Sequence, residues 1–505
     1  MTKKNLILFG FILLKFILQY VLISPEYDLQ RDEYLHLDQA HHLAWGYLSV
    51  PPVTSWFSYI ILQLGNSVFW VKFFPALFGA LTLLIVWKTI ELLKGNLYAL
   101  ILGALCVLLS CLLRLNMLYQ PNSFDVLCWT ALYYVLIQYL TSENTKWLYF
   151  GAVIFALGFL NKYNIVFLLF GLIPAILLSK QRKILIKKEF YFALILGLIL
   201  ILPNLYWQYS NHFPIVHHMK ELAATQLVNV DLGDFLKDQI LFFIGSLLVI
   251  LAGLFSVLRY KPFQKYRLFF ATFIFTLLIF IYFKAKSYYV IGLYPIYIAF
   301  GSVFLSQILN EGKKRYLKIV FIALPLLLFI PMYNIAFPNK SPEYLVKNKV
   351  GAHRWEDGKE HELSQDFADM LGWKELARKT DSLYALLPNQ KETIVLCDNY
   401  GQAGAINFYS KKGIKAVSFN ADYLNWFDLS IPYKNLIRVK EFDENNEELK
   451  ETSPYFESAV IGGQISNQYA REYRTTIFVF TNAKIDINKR LEQEINEEKS
   501  NIKND

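Results

Sequence analysis

"NLILFGFILLKFILQYVLIS" (residues 5–24) carries one charge, Lys15, in twenty residues, and "PEYDLQRDEYLHLDQAHHLAWGY" (25–47) follows at once. The first stretch is long and apolar enough to cross a bilayer as a helix. The second holds Asp28, Asp32, Glu33 and Asp38 together with His36, His41 and His42, three of the chain's eight histidines. A membrane span followed directly by a dense acidic loop is the pattern on which the rest of the reading turns. The run at 5–24 has the look of a signal peptide, but no small-residue cleavage site follows it, so an uncleaved first helix is expected.

Working outward, similar runs recur along the 505 residues, of which 55% are hydrophobic and 17% aromatic. Apolar length predicts eleven spans, at 5–24, 69–92, 97–114, 123–141, 147–160, 163–179, 190–208, 240–258, 268–283, 289–309 and 318–337. The basic stretches "SKQRKILIKK" (179–188), "RYKPFQKYR" (259–267) and "EGKKRYLK" (311–318) all fall in even-numbered connections. Positive residues stay in the cytoplasm, so the N-terminus and these loops are expected there. The acidic loop and the segment beyond 337 are then extracytoplasmic. The formal net charge of +9 sits in these short loops, which argues for topology signals and against a nucleic-acid surface. Cys106, Cys111 and Cys128 lie in apolar runs and Cys397 stands alone, so no disulfide framework or cysteine metal site is expected.

After Pro338 the apolar character collapses. "ELARKTDSLYALL" has helical periodicity, while "TIVLC", "KAVSF", "SAVIGG" and "RTTIFVF" are expected as strands, making a small α/β domain. The expected domains are 1–337 in the membrane, 338–485 outside it, and a charged tail at 486–505 that is frayed or disordered.

Within the acidic loop, "LHLDQAHHLAWGYL" (35–48) has apolar residues near helical spacing and is expected to lie along the membrane surface. A carboxylate there can take a proton from an acceptor while a leaving group stays in the bilayer. On charge alone, a solvated acidic loop is the plainer reading. Asp125, at the outer end of the 123–141 span, is a second candidate, since ionisable groups at membrane depth are expensive. Its structural alternative is a first-turn acid on a helix capped by Asn122 or Ser123. Lys162, Lys284 and Lys286 also sit at outer span ends, against the positive-inside bias, and with Arg31 they could hold a phosphate. Snorkelling to the interface is their simpler reading. His212, His217 and His218 lack the spacing of a zinc motif. "NYGQAGAINFY" is expected as a glycine-containing turn between strand and helix.

Taken as an ordered set, "RDEYLHLDQAHHLAWGYLSVPPVTSW" (31–56), "QPNSFDVL" (120–127), "NKYN" (161–164), "PNLYWQYSNHFP" (203–214) and "KAKSYYVIGLYP" (284–295) resemble bacterial membrane glycosyltransferases of the protein O-mannosyltransferase type. "DMLGWKELA" (369–377) and "DNYGQAGAINFYS" (398–410) extend the likeness into the outer domain. These enzymes form part of the GT-C class, which includes the aminoarabinose transferase that modifies lipid A. The resemblance implies a polytopic α-helical GT-C fold with an extracytoplasmic α/β domain, in a bacterial inner membrane. It implies a sugar donor on a polyprenyl phosphate and an acceptor that is a glycolipid, a polysaccharide or a protein. It also implies Asp32 as general base, Glu33 as its partner and Asp125 as the second acid. Arg31, His42, Lys162, Lys284, Lys286 and Tyr288 would then contact the donor phosphate or substrate. No cofactor is expected beyond at most a divalent metal. Here Ser49 and Val50 precede Pro51 and Pro52, where such enzymes often carry His or an acid and a lysine, and that departure removes a ligand for one. The alternative reading is a transporter or flippase of lipid-linked sugars, but the acids cluster at one face and no repeated halves are visible.

Overall fold

A computed structural model describes residues 2–351, 353–442 and 445–504. Every predicted apolar run coincides with a helix. Among the described residues, five helices are long and apolar enough to cross a membrane alone: Lys3–Val21, Val68–Leu92, Pro121–Ser142, Lys188–Ser210 and, with its short lead-in, Gly312–Ile335. Two bent pairs raise that to seven, and the other four runs are the shorter helices Leu97–Leu108, Lys146–Phe159, Leu247–Arg259 and Leu268–Tyr282. Lys188–Ser210 and Leu317–Ile335 leave Leu198, Leu202, Ile319 and Leu327 exposed, which is the surface a lipid-facing helix presents. Lys15 turns inward, and its Nζ donates to Asn116 Oδ1 at 2.8 Å beside Gly79, where any side chain would collide with it.

The helices sort the two kinds of loop to opposite ends. At the far end of Pro121–Ser142, Lys187 lies over the Tyr139 ring and Lys265 donates to Thr141. At its near end stand Gln120, Asn122 and Asp125, which meet the acidic loop and the 160–164 turn. The chain breaks between Phe159 and Ile165, so the runs on either side of "NKYN" are two helices.

The loop after the first helix differs from its expected form. Its helix is Arg31–Asp38, followed by one 3-10 turn, and it is buried from Glu33 to Ala40. It does not lie open along the membrane surface, because the α/β domain covers it. Glu33 anchors its inner side. Both Glu33 oxygens are 3.0 Å from Lys72 Nζ, and they also accept from the backbone N–H groups of Gln30 and Tyr119 at 2.6 Å. Lys72 completes its shell on the Met117 carbonyl at 2.9 Å. The long connection at 209–239 likewise carries structure, the helices Pro214–Thr225 and Leu232–Leu241, so the following apolar helix starts at Leu247.

Beyond the bundle, five strands among the described residues form one sheet: β1 Thr393–Cys397, β2 Ala416–Ser418, β3 Asn435–Lys440, β4 Phe456–Gln464 and β5 Thr476–Ala483, in the order β2-β1-β3-β5-β4. The three strands β2, β1 and β3 are parallel, whereas β5 runs antiparallel to β3 and to β4. Strand β3 was not expected. Its apolar residues are interrupted by Arg438 and Lys440, whose charges are met by Asp398. One sheet face, with Val395, Ile437 and Val479, packs on the helices Trp373–Leu386 and Tyr400–Tyr409. The other, with Leu396, Leu436 and Phe480, is covered by Ile487 and Leu491 of the helix Ile487–Asn504. The tail expected to be frayed is therefore an amphipathic helix that closes the domain, its apolar positions one turn apart.

Tyr400–Tyr409 rests directly on Arg31–Asp38. A Cβ on Gly404 would stand 2.6 Å from Tyr34 Cβ, so these glycines permit close packing of two helices where a turn was expected. Asp38 accepts from Tyr423 Oη at 2.5 Å and Asn407 Nδ2 at 2.7 Å. Asp422 accepts from Gln39 Nε2 at 3.0 Å and from the Leu48 N–H at 2.8 Å. Asp28 pairs with Lys374 at 2.9 Å. The two halves thus share a core and a polar seam.

Two expectations follow. Losing one member of a buried ion pair leaves an uncompensated charge, so Lys72→Met is expected to cost about 3–5 kcal/mol. Adding Glu33→Gln to it should recover about half of that loss, since the buried charge is gone and the amide oxygen still accepts one of the two N–H groups. Thermal unfolding of the purified single and double variants measures this, and a double variant worse than Lys72→Met alone would be the contrary result. Burial lifts the Asp38 carboxyl to about 7 and Asp422 to about 6, against their hydrogen bonds. A carboxyl that binds protons more tightly when docked takes stability away as pH rises from about 4 to 7. The melting temperature is expected to rise as pH falls from about 8 to 6, and Asp38→Asn should flatten that slope. A wild-type melting temperature independent of pH over this range would count against it.

Candidate functional site

Asp32 follows the capping residue Gln30 by two positions, and its N–H donates to Gln30 Oε1 at 2.9 Å. That geometry projects the half-buried Asp32 carboxylate out of the first helical turn, towards the start of Pro121–Ser142. Gln120 Nε2 donates to Asp32 Oδ2 at 3.2 Å and to Gln30 Oε1 at 3.0 Å. Asn122 Nδ2 donates to Gln120 Oε1 at 3.0 Å, and Lys162 Nζ donates to Asn122 Oδ1 at 2.7 Å. A continuous run of hydrogen bonds therefore joins a carboxylate, Asp32, to an ammonium, Lys162, through two neutral amides.

The "NKYN" turn supplies the cation and is tied down at every residue. Asn161 Nδ2 donates to the Pro121 carbonyl at 2.8 Å, and Tyr163 Oη donates to Asn204 Oδ1 at 3.0 Å. Asn164 Nδ2 donates to Asp125 Oδ2 at 3.0 Å and to the Tyr289 carbonyl at 2.9 Å. Trp129 Nε1 donates to the other Asp125 oxygen at 3.0 Å. Asp125 is buried, and it serves as the post on which this turn and the Ser287–Leu293 segment are hung. Neither Asn122 nor Ser123 caps the helix, which begins at Pro121 after Gln120.

Lys162 Nζ also lies 4.1 Å from the Tyr289 ring centre and 5.3 Å from that of Tyr288. Burial lowers this ammonium to about 8, while Asp125 opposes the fall and Lys286 adds to it. It keeps its charge near neutrality, and two aromatic faces hold it without neutralising it. The Arg31 guanidinium sits 4.4 Å from the Tyr400 ring centre on the side of the α/β domain. Burial opposes its charge, but Tyr400, Glu472, Asp32 and Asp369 around it hold the group fully protonated.

Of the residues singled out from sequence, Asp32, Arg31, Asp125, Lys162 and Tyr288 come together at this one end of the bundle. The others are placed differently. Glu33 is fully buried against Lys72 with two bonds on each oxygen, so it is not free to partner Asp32 or an acceptor. Lys286 is bound to Glu356, beyond the last apolar helix, and to Gln226. Lys284 is exposed at a left-handed turn, φ 49°. His42 stacks on Trp426 with ring centres 4.3 Å apart. Gln120, Asn122 and Asn164 were missed, because neutral amides next to a proline or a turn signal loops before they signal chemistry. Among the described residues, no three His, Cys, Asp or Glu side chains gather as a metal-ligand set.

With this geometry in view, residues 49–207 match the family model described as dolichyl-phosphate-mannose-protein mannosyltransferase. That segment runs from the residues before the double proline to Trp207, and it contains Gln120, Asn122, Asp125 and Lys162. The chain is 24% identical over 210 residues to a lipid A galacturonosyltransferase, RgtD, from Rhizobium johnstonii. That alignment covers 39% of this chain and 43% of the relative, so the chain spans less than half the length of the curated relative it matches. The fold is similar to crystal structures of ArnT from Cupriavidus metallidurans. The form bound to undecaprenyl phosphate gives a TM-score of 0.63 at 12% identity, covering 95% of this chain and 98% of that one. The apo form gives 0.60 with the same coverage. The chain is thus similar to the dolichyl-phosphate-mannose-protein mannosyltransferases over residues 49–207 and to ArnT in fold over nearly its whole length.

Proposed function

We propose that this chain transfers a sugar from a polyprenyl-phosphate carrier to an acceptor hydroxyl or amine at the extracytoplasmic face of the inner membrane. Asp32 acts as the general base. The observation that carries this reading is the hydrogen-bonded run from the Asp32 carboxylate to the Lys162 ammonium, built at the ends of membrane helices. It offers a proton acceptor and a phosphate-binding cation within one strip, and transfer from a lipid phosphate needs both. The RgtD likeness favours a glycolipid acceptor of the lipid A kind, with polysaccharide or protein as the other acceptor classes. The ArnT neighbour was solved with undecaprenyl phosphate, which favours that class of carrier here.

The step balances without a nucleotide or a redox partner. The acceptor's O–H or N–H proton passes to Asp32, and the lone pair of that oxygen or nitrogen forms the new bond to the anomeric carbon. The bond from that carbon to the phosphate oxygen breaks, and its electron pair leaves on the phosphate. Lys162 stabilises the added charge, with Tyr288 and Tyr289 keeping the ammonium partly desolvated and aimed. Because the phosphate is already a good leaving group, base and cation supply the two main needs.

Membranes holding the wild type are expected to move label from one of a panel of polyprenyl-phosphate sugars into extractable glycolipid. Asp32→Asn at equal expression should lower the rate about 10²–10⁴-fold, the range of a positioned general base. Lys162→Gln should weaken donor use by about tenfold or more, the loss of one hydrogen bond to a charged group. Transfer by Asp32→Asn at the wild-type rate would remove Asp32 as the base. Label that changes leaflet but never joins an acceptor would instead favour a flippase.

A further inference from the structure

Asp32 has two oxygens, and they are held from two different parts of the molecule. Gln120, from the membrane half, reaches Oδ2 at 3.2 Å. Tyr400, from the outer domain and 368 positions away in sequence, donates its Oη–H to Oδ1 at 2.7 Å. The second contact is the shorter, and its donor is the more firmly placed.

Three features hold Tyr400. It opens the helix Tyr400–Tyr409, whose cap is Asn399, with Asn399 Oδ1 accepting from the Gln402 N–H at 3.0 Å. Asn399 Nδ2 and Gln402 Nε2 are both bound to the buried Glu472, at 3.1 and 2.6 Å. Gly401 then leaves room for Arg31, since a Cβ there would lie 2.6 Å from Arg31 Cγ, and the guanidinium settles over the Tyr400 ring. The phenol is clamped between a capped helix start and a cation, and its hydroxyl points at one carboxylate oxygen.

We infer that Tyr400 is a positioning residue for sugar transfer: the outer domain completes the site by fixing Asp32 Oδ1, so that Oδ2, held only by the longer bond from Gln120, turns a lone pair to the acceptor's proton. This rests on Asp32 being the base. Docking alone does not explain the contact. The seam already has Asp38 with Tyr423 and Asn407, Asp422 with Gln39, and Asp28 with Lys374, all on buried carboxylates. The Tyr400 contact falls on the half-buried acid that faces Gln120.

The test compares Tyr400→Phe with Tyr423→Phe in the full-length protein in membranes, by steady-state transfer from the donor that the wild type uses. Tyr400→Phe keeps the ring under Arg31 and removes only the hydroxyl. It is expected to lower kcat by about 10- to 100-fold, the loss of one hydrogen bond to a charged group, with donor KM and melting temperature close to wild type. Tyr423→Phe, on the seam but away from Asp32, is expected to lower the melting temperature with kcat unchanged. Wild-type kcat in Tyr400→Phe, while Asp32→Asn is inactive, would overturn the inference and leave the base reading standing. A kcat loss accompanied by an equal fall in melting temperature, as for a purely structural contact, would also overturn it. Full activity in Asp32→Asn would overturn the base reading and this inference together.

Discussion

A buried lysine on a buried glutamate organises this molecule. Lys72 projects from the second long helix and Glu33 from the short helix that follows the first, and their charged atoms lie 3.0 Å apart out of contact with water. Such a pair gains little net stability over an apolar equivalent but is costly to split, so it acts as a register device. Glu33 also accepts the N–H of Tyr119, and Lys72 donates to the carbonyl of Met117. One ion pair thereby joins the loop helix, the Val68–Leu92 helix and the turn that leads into Pro121–Ser142. Asp32, one residue before Glu33, is brought to Gln120 as a consequence.

From that fixed point the polar groups divide into those that brace and those left available. Asp125 braces, with both oxygens bound, and so do Asp38 and Asp422 in the seam. Asp32 and Lys162 differ. Each is only half-buried, where Asp125 is buried, and each is oriented by amides, a phenol or aromatic faces while keeping some access to solvent. A group that is oriented without being neutralised is what proton transfer and phosphate binding require.

The α/β domain belongs to the same construction. Its sheet is covered on one side by the Ile487–Asn504 helix and on the other by two helices, one of which packs directly on Arg31–Asp38. The glycines of "YGQAGA" make that approach possible, and Tyr34 fills the seam between Trp373, Phe408 and Tyr409. The short acidic helix is thus enclosed by the bundle below and the α/β domain above, which explains why so many titratable groups in one stretch are buried in a chain of this kind.

The amino-acid sequence by itself determined where the apolar helices run, which loops share an end of the bundle, that an α/β unit follows residue 337, and that Asp32, Asp125 and Lys162 are candidates. These are sums over local stretches: transfer free energy over some twenty residues, loop charge, and residue types in an ordered motif. Only the tertiary structure decided that Glu33 is a brace, that Lys286 is tied to Glu356, that the tail closes the sheet, and that Gln120, Asn122 and Tyr400 surround Asp32. Those outcomes depend on which side chains meet across hundreds of residues. A carboxylate looks the same in sequence whether a lysine seals it or a tyrosine aims it, because the partner that settles its chemistry arrives by packing and not by proximity along the chain.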